Sequence, residues 1–210
     1  MSRGKFIVFE GIDGAGTTTQ AQRLLGWLEA RGLRVLLTRE PSDGPVGNLV
    51  RNMLKRRIVV PRSVRGTDAD VDPRTVALLF AADRLDHLDG EIRPALDAGF
   101  WVLSDRYVDS SLAYQSIYAD LAWVREINRF APRPDCTFFL SVPPRVAMQR
   151  MRASRPSRDH FETQRRLEKV DEGYEALYRE AAPDVHRLDG TLPIDTIHQR
   201  IVETIAPWAE

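Results

Sequence analysis

The segment from Gly11 to Thr18 (GIDGAGTT) has the frame of a Walker A loop, in which two glycines separated by four residues precede hydroxyl residues. In such a loop, successive backbone N–H groups and a helix N-terminus surround a phosphate, and the glycines let the main chain approach it closely. We expect Thr18 to place its hydroxyl on Mg²⁺. Thr17 stands where the loop normally has a lysine, so the usual contact to the β- and γ-phosphates is absent.

Two interpretations of this loop compete: phosphate binding, and a glycine-rich turn between a strand and a helix that holds no ligand. The loop directly follows the apolar run from Phe6 to Phe9, which is typical of a buried parallel strand. A helical pattern of apolar residues begins at Thr17. This order favours phosphate binding, because it aims the N-terminus of a helix at the loop.

Two further pairs of residues are spaced for substrate binding. Phe80 and Arg84 lie four residues apart, so on one helix an aromatic ring and a forked donor can meet the same planar base. From spacing alone, however, a core position for Phe80 and a surface ion pair for Arg84 are the favoured interpretations. Asp105 and Arg106 follow the predicted strand 100–104, at the edge of a sheet where ligands of open α/β folds bind. Asp105 suits an outer-sphere position on Mg²⁺, and Arg106 suits a bidentate clamp on phosphate.

The elements that carry these residues alternate between strands and helices. Runs that are mainly apolar predict strands at 6–9, 34–38, 100–104 and 136–142, and we expect a last short strand at 185–188. Apolar residues at three- and four-residue spacing predict helices at 17–31, 46–55, from 73 onward, 112–129, 145–151, 162–181 and 194–205. Strands that alternate with helices imply a largely parallel sheet covered on both faces, which is the doubly wound α/β architecture.

Length and composition limit the classes of protein to consider. A chain of 210 residues without an internal linker or repeat predicts a single domain over 1–210. The 30 basic and 30 acidic residues give no net charge, which argues against a protein that coats nucleic acid or an anionic membrane. No stretch approaches the ~20 apolar residues of a membrane span. The one cysteine, Cys136, excludes an internal disulfide framework, and we expect a cytoplasmic protein.

Motifs in order along nearly the whole chain resemble those of the thymidylate kinase family, of bacterial or archaeal type. They are Phe9–Gly16, Thr38–Pro41, Leu78–Arg84, Asp105–Tyr107, Ser110 with Ala113–Gln115, and Asp159–Glu162. The resemblance implies a five-stranded sheet of the P-loop NTPase type. It also implies the reaction ATP + dTMP → ADP + dTDP, with Mg²⁺.

The resemblance assigns site residues one by one. The loop residues that it implies for ATP are Gly11, Gly14, Ala15, Gly16, Thr17, Thr18 and Thr19, and Asp13 would lie beside both phosphates. Mg²⁺ would lie near Thr18 and Asp105. For dTMP it implies Phe80 and Arg84 on thymine, Arg51 and Arg106 on the phosphate, and Ser111 and Tyr114 beside the deoxyribose. A solvated helix charge for Arg51 and plain helix packing for Tyr114 remain the alternatives.

The basic segment at about 150–162 resembles the family's LID, a flap that closes over ATP. Turn-forming residues from Ala153 to Asp159 interrupt a helical pattern there. Arg152, Arg155 and Arg158, without an arginine in the phosphate loop, match the family branch whose LID supplies the catalytic arginine. We predict that Arg155 contributes most of the charge that the missing lysine would provide. A solvated basic loop is the alternative.

Two other functions stay open at this stage. One is a kinase for a different nucleoside monophosphate, and the other is a non-catalytic nucleotide-binding relative that lost activity with the Walker lysine. Retention of the loop hydroxyl, the Asp105–Arg106 pair and the LID arginines argues against such decay. Family members are commonly homodimers, and we expect an apolar helix face between Leu78 and Ala113 to form the contact.

Overall fold

A parallel sheet lies at the centre of the protein, for which a computed structural model describes residues 3–59, 71–154, 160–180 and 182–209. Its strands are β1 (Phe6–Glu10), β2 (Val35–Arg39), β3 (Trp101–Asp105), β4 (Cys136–Ser141) and β5 (Val185–Asp189). Within the described residues the sheet has five strands in the order β2-β3-β1-β4-β5, and every pairing is parallel. The predicted five-stranded parallel sheet is confirmed.

Helices surround this sheet along the described parts of the chain. They are α1 (Thr17–Glu29), α2 (Pro45–Leu54), α3 (Pro73–His87), α4 (Arg93–Asp97), α5 (Val108–Tyr114), α6 (Leu121–Ile127), α7 (Pro144–Ser154), α8 (His160–Leu177) and α9 (Ile194–Ile205). A π-helical turn, Leu88–Ile92, joins α3 to α4. No helix in the described ranges combines the length and the apolar character that crossing a membrane requires.

Side chains of β1 alternate between two hydrophobic clusters, one on each face of the sheet. Ile7 and Phe9 belong to the cluster that residues of α1, α8 and α9 complete. Phe6 and Val8 belong to the cluster that includes Leu88, which follows α3. Burial on both faces explains why this strand is an uninterrupted apolar run, and it confirms the doubly wound architecture.

The order of the strands places the functional loops together. β1 lies between β3 and β4, and Phe9 pairs with Asp105 of β3 and with Phe138 of β4. The loop that begins at Gly11 therefore emerges beside the carboxyl end of β3. Crevices at this edge of an open α/β sheet are where ligands bind.

The helix predicted at 112–129 is wrong in its extent. It is divided into α5, a 3₁₀ turn at Gln115–Ile117, and α6. Asp120 caps α6, since its side chain accepts a hydrogen bond from the backbone N–H of Trp123. A capping residue has non-helical backbone angles, so a helix cannot continue through Asp120.

The segment predicted as the LID has helical ends. Residues 150–154 form the last part of α7, and α8 begins at His160. Between them, residues 155–159, which include Arg155 and Arg158, lie outside the described residues.

Candidate active site

The loop after β1 leads directly into the N-terminus of α1. Gly14 and Gly16 have φ values of 84° and 103°, in the left-handed region that favours glycine. A Cβ on Gly14 would lie 2.7 Å from the carbonyl oxygen of Ala147, so the loop packs directly on the backbone of α7. The helix then begins at Thr17 with its free N–H groups next to the loop.

A cavity of about 910 Å³, here called the donor cavity, opens at this helix terminus. Its lining includes the predicted ATP-binding residues Gly14, Ala15, Gly16, Thr17, Thr18 and Thr19. Gly11 lies outside the lining, but its carbonyl oxygen accepts a hydrogen bond from Arg106 at 2.9 Å. Among the predicted LID arginines, Arg152 lies on the wall of this cavity, whereas Arg155 and Arg158 are not described. The geometry suits a nucleotide whose phosphates lie at the start of α1.

Thr18 and Asp105 meet on the wall of the donor cavity. The Thr18 hydroxyl donates a hydrogen bond to Oδ2 of Asp105. The other carboxylate oxygen, Oδ1, is buried and has no hydrogen-bond partner among the described residues. A buried carboxylate oxygen without a donor fits a hydrated cation. No group of three or more His, Cys, Asp or Glu that could hold a metal occurs in the described ranges.

A second cavity of about 740 Å³, here called the acceptor cavity, lies between α3 and α5. It brings together the residues predicted for the base and the sugar, Phe80, Arg84, Ser111 and Tyr114. Burial raises the pKa of Tyr114 to about 12, so its hydroxyl keeps its proton. That hydroxyl accepts a hydrogen bond from the N–H of Asp13 at 3.1 Å and still has its own hydrogen to donate.

Asp13 and Arg106 line both cavities and mark the junction between them. Nη2 of Arg106 donates to Oδ1 of Asp13 at 2.7 Å, and the guanidinium lies 5.1 Å from the centre of the Tyr114 ring. Arg106 has a φ of 78°, a left-handed conformation that costs a non-glycine residue about 1–2 kcal/mol. The surrounding contacts must offset this cost to hold the guanidinium at the junction.

Arg84 is buried, so the interpretation that this arginine forms a surface ion pair is wrong. Its side chain is 1% exposed, and its Nε donates to Oε2 of Glu40 at 2.9 Å. Further donors of the same guanidinium bond Asn128, the carbonyl oxygen of Tyr107 at 3.1 Å and the Ser111 hydroxyl at 3.0 Å. These partners therefore fix the guanidinium at the wall of the acceptor cavity.

Two predicted residues lie away from the positions that the sequence suggested. Arg51 is outside the lining of both cavities as the structure describes them, and its Nη1 donates to the carbonyl oxygen of Pro41 at 2.8 Å. Ala113 is buried rather than part of an exposed face, because α8 packs against it at Gly173. Helical spacing does not reveal either arrangement, because the partner of Arg51 lies before the start of α2 and the partner of Ala113 lies on the distant α8.

Arg150 is a candidate site residue that the sequence reasoning missed. It lies on α7 at the wall of the donor cavity, and its Nη2 donates to the carbonyl oxygen of Gly190 at 2.8 Å. Its Nη1 donates to the carbonyl oxygen of Ala15 at 3.2 Å. The side chain thereby joins the phosphate loop to the loop after β5. In the sequence, Arg150 stands in a basic run directly before the turn-forming segment, and this position could have identified it as a site residue.

Glu10, the last residue of β1, was also missed, although it stands inside a quoted motif. Its carboxylate is fully buried among donors from Tyr107, Ser110 and Tyr174. Burial, together with nearby Asp109, raises the pKa of Glu10 to about 7 against the effect of those hydrogen bonds. Its place directly before the phosphate loop makes it a neighbour of the site.

Comparisons with known proteins found one matching family model and several similar chains. Residues 9–201 match the family model described as thymidylate kinase. A probable thymidylate kinase of Thermococcus kodakarensis is 43% identical over 206 residues, which cover 95% of this chain and 96% of the relative. A probable thymidylate kinase of Pyrococcus horikoshii is 39% identical, covering 97% and 96%. A thymidylate kinase of Alkalilimnicola ehrlichii is 35% identical, covering 98% and 94%.

Proposed function

Because the chain belongs to the thymidylate kinase family, we propose that it transfers the terminal phosphoryl group of MgATP to dTMP, giving ADP and dTDP. The observation that carries the proposal is the junction between the two cavities. Asp13 and Arg106 line both, so a phosphate from each nucleotide can meet there. The kinase is proposed to be one domain with a LID at about 150–162.

The reaction requires positioning and positive charge more than proton transfer. A phosphate oxygen of dTMP is already an anion, so it attacks the γ-phosphorus without a general base. The bond from the γ-phosphorus to the bridging oxygen breaks, and its electron pair leaves with ADP. Arg106 holds the dTMP phosphate, and Asp13 orients Arg106 through their 2.7 Å ion pair. Arg51 would approach the same phosphate if it released the carbonyl oxygens of Pro41 and Ser42 and the side chain of Asn48.

The site fits Mg²⁺ as the partner of ATP. Thr18 would hold the ion through its hydroxyl, and Asp105 would bind the ion's water shell through the oxygen that lacks a partner among the described residues. When bound, Mg²⁺ supplies positive charge to the β- and γ-phosphate oxygens. The backbone N–H groups of residues 14–19, at the end of the loop and the start of α1, would bind the same phosphates.

The acceptor cavity supplies the contacts for thymine and deoxyribose. Phe80 lies on the cavity wall, where its ring can stack on the base, and Arg84 lies beside it with its guanidinium fixed. Tyr114 would pack beneath the sugar, which leaves little room for a 2′-hydroxyl. These contacts favour a deoxynucleoside monophosphate with a carbonyl on its base.

The test of the function is a coupled assay of ADP release with the purified protein, MgATP and one of three acceptors. We expect dTMP to be a better substrate than dUMP or dCMP by kcat/KM. Equal rates with the three acceptors would indicate a kinase for another monophosphate. Binding of both nucleotides without release of ADP would indicate a non-catalytic relative.

The LID arginines are proposed to replace the missing Walker lysine. Arg152 already lies on the donor cavity, while Arg155 and Arg158 lie beyond the described residues. Changing Arg155 to alanine is expected to lower kcat by roughly 10³, or about 4 kcal/mol of transition-state stabilisation, with little change in dTMP affinity. Arg145→Ala, on the exposed start of α7, is the control. Activation of an inactive protein by Thr17→Lys would refute this assignment.

We also propose that the enzyme is a cytoplasmic homodimer. Leu78 and Leu85 are 50% and 38% exposed and lie seven residues apart on α3, so they share one face. A second copy of the chain would cover this face. Leu78→Glu with Leu85→Glu should convert a dimer into a monomer in light scattering, and a monomeric unmodified protein would contradict the proposal.

A further inference from the structure

Four hydrogen bonds converge on the buried carboxylate of Glu10. Its Oε1 accepts from the backbone N–H groups of Tyr107 at 2.8 Å and Ser110 at 3.2 Å. Its Oε2 accepts from the hydroxyls of Ser110 at 2.6 Å and Tyr174 at 2.7 Å. Burial of a carboxylate is unfavourable unless donors surround it in this way. None of the roles assigned above uses this group.

Tyr107, which precedes α5, and Ser110, which lies on it, follow Arg106 closely in the chain. The N–H of Arg106 donates to the carbonyl oxygen of Phe9 at 2.9 Å, and the next N–H, from Tyr107, donates to Glu10. Two consecutive residues of β1 therefore hold the backbone around the left-handed Arg106. Ser110 extends this link to the guanidinium, because its hydroxyl donates to Glu10 and accepts from Nη1 of Arg106 at 3.2 Å.

Tyr174 brings α8 to the same carboxylate. Its ring stacks on Phe139 of β4 with 5.2 Å between the ring centres. The neighbouring Gly173 lies so close to α5 that a Cβ there would be 3.2 Å from Cα of Ala113. Arg166 of the same helix lies on the wall of the acceptor cavity. The position of α8 is thus linked both to Glu10 and to the acceptor cavity.

We propose that Glu10 is a positioning residue that orients Arg106 toward the phosphate of a nucleoside monophosphate, and that Tyr174 couples the position of α8 to this orientation. Glu10 does not touch the substrate and acts through Arg106. The inference rests on the proposed function, because it requires that Arg106 bind the dTMP phosphate.

A double-mutant cycle separates positioning from a purely structural role. Glu10→Gln keeps the shape of the side chain and an acceptor for the two backbone N–H groups, but it replaces the second oxygen by an amide NH₂. We expect at least a tenfold loss in kcat with KM for ATP within twofold. In an Arg106→Lys background the same change should cause no further loss, since the carboxylate acts through Arg106. Losses that multiply in the double variant would overturn the proposal.

A matched pair of variants, one on α8 and one directly after it, tests the coupling and remains informative if Glu10→Gln fails to fold. Tyr174→Phe and Tyr178→Phe each remove one hydroxyl, one helical turn apart, and Tyr178 donates to Asp109 at 2.7 Å. We expect kcat to fall at least fivefold in Tyr174→Phe and to stay within twofold in Tyr178→Phe, with similar thermal midpoints. Equal effects on kcat would overturn the coupling.

Binding without turnover distinguishes failure of this inference from failure of the proposed function. Calorimetry gives the ratio of the Kd for thymidine to the Kd for dTMP, which measures the contribution of the phosphate. Glu10→Gln should reduce this ratio at least fivefold. A reduced ratio in a protein that releases no ADP would refute only the kinase activity, whereas an unchanged ratio would refute the positioning role of Glu10.

Discussion

Replacement of Arg84 by alanine is expected to lower stability as well as dTMP binding, and the second effect can be measured only after the first is removed. Arg84 and Glu40 form an ion pair in which the side chains are 1% and 3% exposed. Alanine at position 84 leaves the Glu40 carboxylate buried without its main partner. The compensating variant is the double change Glu40→Gln with Arg84→Ala, which removes both charges.

The magnitude follows from the burial of the pair. Breaking a buried ion pair by removing one partner costs about 3–5 kcal/mol, since the remaining charge stays uncompensated. His87 offers partial compensation, because its Nδ1 lies 3.8 Å from Oε1 of Glu40. Burial opposes a charge on this ring, but Glu40 and Glu91 together raise the pKa of His87 above its ordinary value. At about 2–4 °C per kcal/mol for a chain of this size, Arg84→Ala should lower Tm by about 6–20 °C.

The assay combines calorimetric unfolding with steady-state kinetics. The double variant should recover at least half of the lost stability, since no charge remains buried alone. In that stable background KM for dTMP should stay at least tenfold higher than in the unmodified enzyme, a loss of about 1.4 kcal/mol or more, with KM for ATP nearly unchanged. If Arg84→Ala is as stable as the double variant, the reasoning about the buried pair is refuted. If the double variant has normal KM for dTMP, Arg84 does not bind the base.

Three further predictions concern other parts of the site. Phe80→Ala should raise KM for dTMP at least tenfold. The control Leu78→Ala, on the exposed side of α3, should leave this KM unchanged. Equal changes in KM for dTMP in the two variants would mean that the base binds elsewhere. Arg150→Ala should raise KM for ATP about tenfold by releasing the phosphate loop, because hydrogen bonds from a charged donor are worth about 1.5–3 kcal/mol, and the control Arg145→Ala should not. The pKa of Glu10 rises from 4.5 to about 7 on folding, so between these values the folded protein holds a proton that the unfolded chain has lost. The stabilising contribution of this protonation is fully present below pH 4.5 and is lost as the pH rises through 7. The free energy of unfolding of the unmodified protein should therefore fall relative to that of Glu10→Gln between about pH 5 and 8. A constant difference between the two proteins would contradict the shifted pKa.

Local patterns in the sequence were sufficient to predict the strands, the phosphate loop and several helix ends. The run from Phe6 to Phe9 predicts β1 because a strand buried on both faces has no polar side to reveal. Glycine at 14 and 16 supplies left-handed backbone that other residues rarely adopt. Asp72 begins α3 through its own hydrogen bond to a backbone N–H two residues later. Each of these features depends on neighbours within a few residues, so the sequence contains its cause.

The partners of the buried charges were decided only by the tertiary structure. Arg84 pairs with Glu40 across 44 residues, and Glu10 accepts a hydrogen bond from Tyr174 across 164 residues. Judged by spacing alone, acidic residues nearer to Arg84 in the sequence were equally good candidates for its ion-pair partner. Packing selects among them, because a buried charge is stable only where the folded chain surrounds it with donors or an opposite charge, and that surrounding exists only after distant segments have come together.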